Sequence, residues 1–471
     1  MLEGKKLIPE KTGQVSPFSI PNIRRYIAFK VLFNSRFYYP IFTILFLDFG
    51  LTVAQFSILN AVWAATIVAA EVPSGALADI IGRKRLLVFA TMTMVVEVGI
   101  ISFMPEFDVS VIFFVFLINR ILSGLAEAAA SGADEALAYD ALKAQGNPDD
   151  WGRVLEILAR FQSMGFIIAM TTGAAIYDPR LMEGFCQFLG IPIVLTQEIT
   201  MRFPLYATFI LALFACAATL GMEEIHPQKK TTTSLQNQHP LGQISRLLQA
   251  FGLTLQAGAW ILKTPFVLGV ILFGMLFDGI IRMVITLSSQ YYRMIHLPES
   301  VFGIIGSLVA MLGLVIPRIA RKITESQNPS QGLWITAILT LSGLTAMNFF
   351  WPWAGLLPAL VTFSAMHFNG FFVSFYVNRE TASEQRATVL SFKGLSYNLS
   401  YGILGVGYAL LLKAQKQALE ADFSLQNPDP GPAMIENLVF TKSFIWFPAT
   451  FLLGFIFLCL VYLLFLKKKN K

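Results

Sequence analysis

Charge is what this sequence has least of. Only 14% of its 471 residues are Asp, Glu, Lys or Arg, while 55% are hydrophobic; ordinary soluble domains carry about 25% charge. That balance makes lipid the solvent. Cysteine is sparse too: Cys186, Cys216 and Cys459 lie far apart, the last two within apolar runs, so neither a disulfide framework nor a metal site is suggested. No loop combines His, Cys, Asp or Ser in a metal or nucleophile arrangement, and a Gly-rich phosphate loop is missing, so the chain reads as no enzyme, with no cofactor and no metal. A net charge of +6 is scattered singly and in short clusters between apolar spans, which argues for topogenic charge and against nucleic acid. The first apolar span carries Lys30, Asn34 and Arg36 and lacks a compact apolar core ending at a cleavage site, so no cleavable signal is expected.

What is abundant fits lipid. There are 34 Gly, 42 Phe and 16 Met, as expected where helices pack closely through small residues and turn bulky ones to acyl chains. Apolar windows of about twenty residues predict twelve helices near 26–48, 52–76, 86–105, 109–134, 154–177, 203–222, 264–288, 299–320, 332–350, 353–378, 387–412 and 441–466. The spans form an all-α membrane protein of two six-helix bundles, divided as 1–222, a linker at 223–262, and 263–471. The linker holds Lys229 and Lys230, then Leu241, Ile244, Leu248, Phe251 and Leu255 at near-helical spacing, the pattern of an amphipathic helix on the bilayer surface. Lys5, Lys6, Lys11, Arg24 and Arg25 precede the first span, Arg83 to Arg85 fill the second connection, and Lys467 to Lys469 follow the last, whereas the first, third and ninth connections contain no Lys or Arg. Both termini are therefore expected in the cytoplasm, with the chain in an inner membrane. A weak repeat relates the bundles: Glu135 to Asp140 with Arg153 in the first answers Ser374 to Asn378 with Arg386 in the second.

Between the second and third spans the sequence runs Glu71-Val72-Pro73-Ser74-Gly75-Ala76-Leu77-Ala78-Asp79-Ile80-Ile81-Gly82-Arg83-Lys84-Arg85. A tight turn between two helices needs glycine, and a carboxylate near another helix's N-terminus is favoured by its dipole. This stretch resembles the signature loop of the major facilitator superfamily, and the topology resemblance covers nearly the whole chain. The resemblance implies a gate made of Gly75, Asp79, Gly82, Arg83 and Asp140, with Asp79 facing the start of the eleventh helix near Ala387 and Thr388. Arg83 would pair with Asp140 to latch the cytoplasmic side in an outward-facing state. Ile80 departs from the family's usual basic residue.

An ionisable side chain at mid-membrane costs about 2.5–3.5 kcal/mol, so such residues point to function. Helix four carries Arg120, Gly124, Glu127, Ser131 and Asp134, spaced four, three, four and three apart, along one stripe. Arg120 with Gly124 also resembles the superfamily's helix-four arginine motif, associated with proton-coupled members. Helix seven offers Asp278 and Arg282 at i,i+4. The architecture implied by the resemblance lines its cavity with helices one, four, seven and ten, which makes Arg36, Arg120, Glu127, Asp134, Asp278, Arg282, His367 and Asn369 candidates for substrate or proton contacts. Buried ion pairs also serve folding specificity, and a hydrogen-bonded structural role suits His367 equally. Glu156–Arg160 and Lys393 fit locks between the halves, and Glu71 and Glu97, toward helix ends, fit hydrated positions. Helix five has Gly165 and Gly173 without the proline of the superfamily's drug–proton antiporters, which argues against drug export.

The expectation is secondary active transport of a small solute by alternating access, proton-coupled, by a chain working as a monomer among membrane lipids. The alternatives are an uncoupled facilitator of a polar or ionic metabolite and, from another class, a sensor or scaffold on a transporter fold.

Overall fold

The computed structural model describes residues 16–105, 108–224, 252, 256, 258–381, 383–424 and 431–466. Among them, ten helices are long and apolar enough to cross a membrane. The first bundle comprises α1 (Pro21–Asn34), α2 (Val53–Ile81), α3 (Arg83–Ser102), α4 (Val109–Ala130), α5 (Trp151–Tyr177) and α6 (Phe203–Leu220). The second comprises α7 (Pro265–Thr286), α8 (Phe302–Ser326), α9 (Pro329–Met347), α10 (Leu356–Glu380), α11 (Ser383–Ser424) and α12 (Trp446–Val461). The two segments outside the ten are α1, which is interrupted, and α9, which opens on polar Ser330 and Gln331; both occupy bundle positions.

Two interruptions depart from the sequence expectation. The span expected at 26–48 breaks after Asn34 and resumes as Phe42–Asp48. Ser35 leaves the helical region (φ −90, ψ 68), and Pro40, which has no N–H to donate, sits in the short turn that follows. The span expected at 109–134 stops at Ala130; Gly132 takes a left-handed φ of +75, which glycine tolerates, and a new helix runs Ala133–Gln145. The connection 178–202 contains a helix at Pro179–Phe188, and α11 runs 42 residues, or about 63 Å at 1.5 Å per residue, twice what a bilayer core of about 30 Å requires. The amphipathic helix expected in the linker falls largely outside the described residues.

Even-numbered connections gather on one side, the side of the termini. Asn22 at the start of α1 donates to the Glu223 carbonyl at 2.9 Å, just past α6. The neighbouring Glu224 carboxylate caps α3 by accepting from the backbone N–H groups of Arg83 (3.1 Å) and Lys84 (2.8 Å). Gly82, the residue between α2 and α3, has φ +99, and a Cβ there would come within 2.7 Å of Glu224 Oε2. The positive φ calls for glycine here, and the absent Cβ leaves the Glu224 carboxylate free to reach the start of α3.

The two bundles meet along α2–α11 and α5–α8. Both seams are tight on the side opposite the termini. A Cβ on Gly303 of α8 would fall 2.0 Å from the Met170 carbonyl of α5, and Gly405 of α11 faces the Ser57 carbonyl of α2. Buried apolar residues follow the same division. One cluster runs continuously through both bundles on that far side, including Tyr38, Phe46 and Phe56 with Phe277, Tyr291 and Phe302. On the terminus side the core falls into separate clusters, one around Phe29 and Leu137 in the first bundle and two around Val267 and Phe372 in the second. Among the described residues, the shared apolar core that holds the bundles together lies at this one end.

Candidate functional site

The break in the first span determines where charge collects. Freed from the helix, Arg36 turns into the first bundle, where its Nη1 donates to Glu97 Oε1 at 2.7 Å and to the Tyr38 hydroxyl at 2.7 Å. Arg36 is 2% exposed and Glu97 fully buried. Glu97 therefore does not occupy the hydrated helix end expected from its place in the sequence. It faces inward on α3, and both its carboxylate and its backbone carbonyl accept from Asn119. Asn119 Oδ1 in turn accepts from Arg120 Nε (3.0 Å) and Nη2 (2.8 Å). The Arg120 guanidinium packs over the rings of Phe42 and Phe46 and has no carboxylate partner among the described residues. Glu127 stands 3.7 Å from Arg36 Nη2 with its side chain 31% exposed.

Gly132 ends the helix-four stripe before Asp134. Asp134 instead opens the following helix, where it forms an ion pair with Lys30 at 2.5 Å, and Ser131 is exposed. The stripe therefore holds for Arg120, Gly124 and Glu127 and not for the last two positions. Gly124 lets α4 close on α2, where a Cβ would lie 2.8 Å from Thr66.

In the second bundle Asp278 and Arg282 form the expected pair, with Asp278 buried and Arg282 partly open. Arg282 also donates to Asn398 of α11 at 2.9 Å and lies over the Tyr401 ring. Tyr401 also donates to Thr286 of α7 at 3.2 Å, and the Thr286 carbonyl accepts from Thr43 of the first bundle, so these charges lie beside the bundle interface. His367 is placed elsewhere, against α8, whereas Asn369 lies beside Gly274, one turn before Asp278 on α7. His367 Nε2 lies 3.2 Å from the Val309 carbonyl and packs at Gly313 of α8. Asn369 donates to the Gly274 carbonyl at 3.4 Å and lines an apolar cavity of about 330 Å³ within the second bundle, among Phe273, Trp334 and Phe372. Glu156 and Arg160 pair with each other on an exposed face of α5 and form no ion pair to the second bundle among the described residues.

In the motif loop, Arg83 forms an ion pair with Asp140. Gly75 is exposed with open space around it, and the side chain of Asp79 lies outside the described residues. The sequence reading overlooked a cluster on the far side. Arg293, just beyond α7, forms a fork to Asp48 of the first bundle (2.8 and 3.0 Å) and also donates to Glu299 (2.8 and 2.6 Å). Tyr177 of α5 donates to the same Asp48. Burial pulls the Arg293 pKa down, but the Asp48 hydrogen bonds and charge outweigh it and hold the group above its ordinary value. Beside this clamp the Ser289 hydroxyl accepts from the N–H groups of Thr43 (3.0 Å) and Ile44 (3.2 Å). No spacing rule links these residues; the only signal was a charged residue at each of two adjoining span ends.

A family model described as Major Facilitator Superfamily matches residues 27–406. The chain belongs to the major facilitator superfamily. It is thus a multi-pass membrane protein of a transporter family. Solved structures of the superfamily share its fold at low identity. A bacterial homologue of the human lysosomal transporter Spinster, inward-facing and unoccupied, aligns at TM-score 0.68 with 14% identity, covering 97% of this chain and 99% of that one. The nucleoside transporter NupG aligns at 0.58 with 14% identity, covering 94% and 99%. The E. coli xylose transporter XylE, partially occluded and inward open, aligns at 0.55 with 12% identity, covering 92% and 98%. No curated protein matches the chain.

Proposed function

We propose that this superfamily member is a secondary active transporter that moves a small polar or ionic solute by alternating access, coupled to protons. One observation carries the reading. Charges that are costly in lipid gather where two bundles meet, and those bundles are fused on one side of the charges and separate on the other. With the termini in the cytoplasm, as the Lys/Arg distribution supports, this is an inward-open state. The Asp48–Arg293–Glu299 clamp closes the outside, while the Arg83–Asp140 pair, formed in this same state within the first bundle, braces the motif loop. Residues 223–262 tether the two halves. Asp278 and Glu127 are the carboxylates placed to exchange protons at the cavity, because each is paired with arginine yet borders the central region.

The test uses the reconstituted full chain. With an imposed pH gradient and a mixed solute extract, mass spectrometry identifies what accumulates with and without an uncoupler. Gradient-dependent enrichment that is lost in Asp278→Asn is expected. Enrichment only to equilibrium, insensitive to the uncoupler, would make the protein a facilitator.

A further inference from the structure

The intramembrane charges of the first bundle balance in number, with Lys30, Arg36 and Arg120 set against Glu97, Glu127 and Asp134. The α7–α11 face of the second bundle does not. Gly274, Asp278 and Arg282 recur every four residues on α7, and Lys393, Tyr397 and Tyr401 do the same on α11. These stripes face each other. The Tyr397 hydroxyl sits 1.9 Å from where a Gly274 Cβ would be, and the Ser400 hydroxyl donates to the Met275 carbonyl at 3.2 Å. The Lys393 ammonium lies 5.5 Å from the centroid of the Tyr397 ring and within electrostatic reach of Asp278. Two cations therefore share one carboxylate, and Arg282 already occupies it. Among the described residues Lys393 forms no ion pair of its own, and the buried hydroxyl of Tyr397, a residue 8% exposed, has no hydrogen-bond partner. A buried hydroxyl without an acceptor and a half-buried ammonium without a carboxylate, among the described residues, form an incomplete site.

We infer that Lys393, Tyr397 and Arg282 bind a carboxylate group of the solute, which takes the place of Asp278 as counter-ion to this pair of cations. The charge balance selects the ligand class. One positive charge is left over, which a carboxylate neutralises, whereas a phosphate monoester brings about −1.5 to −2 at neutral pH. Arg282 presents the planar fork suited to a carboxylate, with Asn398 and the Tyr401 ring fixing its orientation. Lys393 is thus a binding residue and not a lock between the halves. The inference rests on the transporter reading only for the bound molecule being cargo; binding itself is measured without movement.

The experiment is thermal-shift titration of the purified full chain with matched pairs of probes, benzoate against benzamide and succinate against succinamide, and with inorganic phosphate. At least one carboxylate stabilises the wild type, while its amide and phosphate do not. Lys393→Gln weakens that carboxylate about tenfold or more, Lys393→Arg retains it, and Asp278→Asn, which removes the competing anion, strengthens it by about tenfold. Equal melting temperatures of Lys393→Gln and wild type without probe show that the variant folds; if it melts lower, the Asp278→Asn result decides. The inference is overturned if no carboxylate stabilises the protein, if amides match their carboxylates, if phosphate alone acts, or if Asp278→Asn leaves carboxylate affinity unchanged. The same probes in proteoliposomes separate the two readings. Carboxylates that bind without crossing any vesicle contradict transport and leave the site, whereas neutral solutes carried without carboxylate binding contradict the site and leave transport.

Discussion

Arg36 is the residue on which the first bundle turns, because its charge is fully buried and depends on Glu97. Removing one partner of a buried pair leaves an uncompensated charge, which costs about 3–5 kcal/mol. Glu97→Gln is therefore expected to lower the melting temperature of the purified protein sharply, and Arg36→Met combined with Glu97→Leu to recover most of the loss. A double variant as unstable as the single one would show that the pair supplies more than charge balance. Such residues were half legible. Arg83 and Asp140 could be matched by position, and Asp278 with Arg282 by the i,i+4 rule. Glu97 could not, because distance from a helix end says nothing about which face a side chain takes, and its partner lies in a span interrupted by an unforeseen break. Lys393 was visible as an intramembrane charge, but its surplus appears only once α7 and α11 are seen face to face.

At the scale of elements, the seams between bundles rely on close approach. Gly303 has no room for a Cβ against the Met170 carbonyl, so Gly303→Val should force α5 and α8 apart. In a background with Cys186, Cys216 and Cys459 replaced, a cysteine at Ser307, which contacts Thr171 across this seam, is expected to react about tenfold faster with an impermeant thiol reagent from the far side; that change corresponds to about 1.4 kcal/mol of lost contact. Unchanged reactivity would mean that the seam yields without opening. A second prediction concerns the motif turn. Glu224→Ala removes the cap on the start of α3 and should cost about 1 kcal/mol, the usual worth of an N-terminal cap, read as a modest fall in melting temperature. Helix number and order were legible from hydropathy, because lipid imposes a length on every span. The interruptions at Ser35 and Gly132 were not, because each depends on local backbone geometry within an apolar run.

For the whole molecule, the division of the core is the decisive feature: one apolar cluster shared by both bundles on the far side, and separate clusters on the side of the termini. A structure joined at one end can rock about that joint, and the two Arg293–Asp48 hydrogen bonds tie the joint across the bundles. Arg293→Ala should therefore shift the population toward the opposite opening. The most direct test is a pair of spin-label distances in the reconstituted protein, with labels at exposed positions of opposite bundles: Leu77 with Ile319 on the side of the termini, and Phe103 with Phe349 on the far side. Alternating access predicts that Arg293→Ala lengthens the far-side distance and shortens the other in the same sample. Two distances that move together, or a far side that opens while the terminus side stays open, would contradict it.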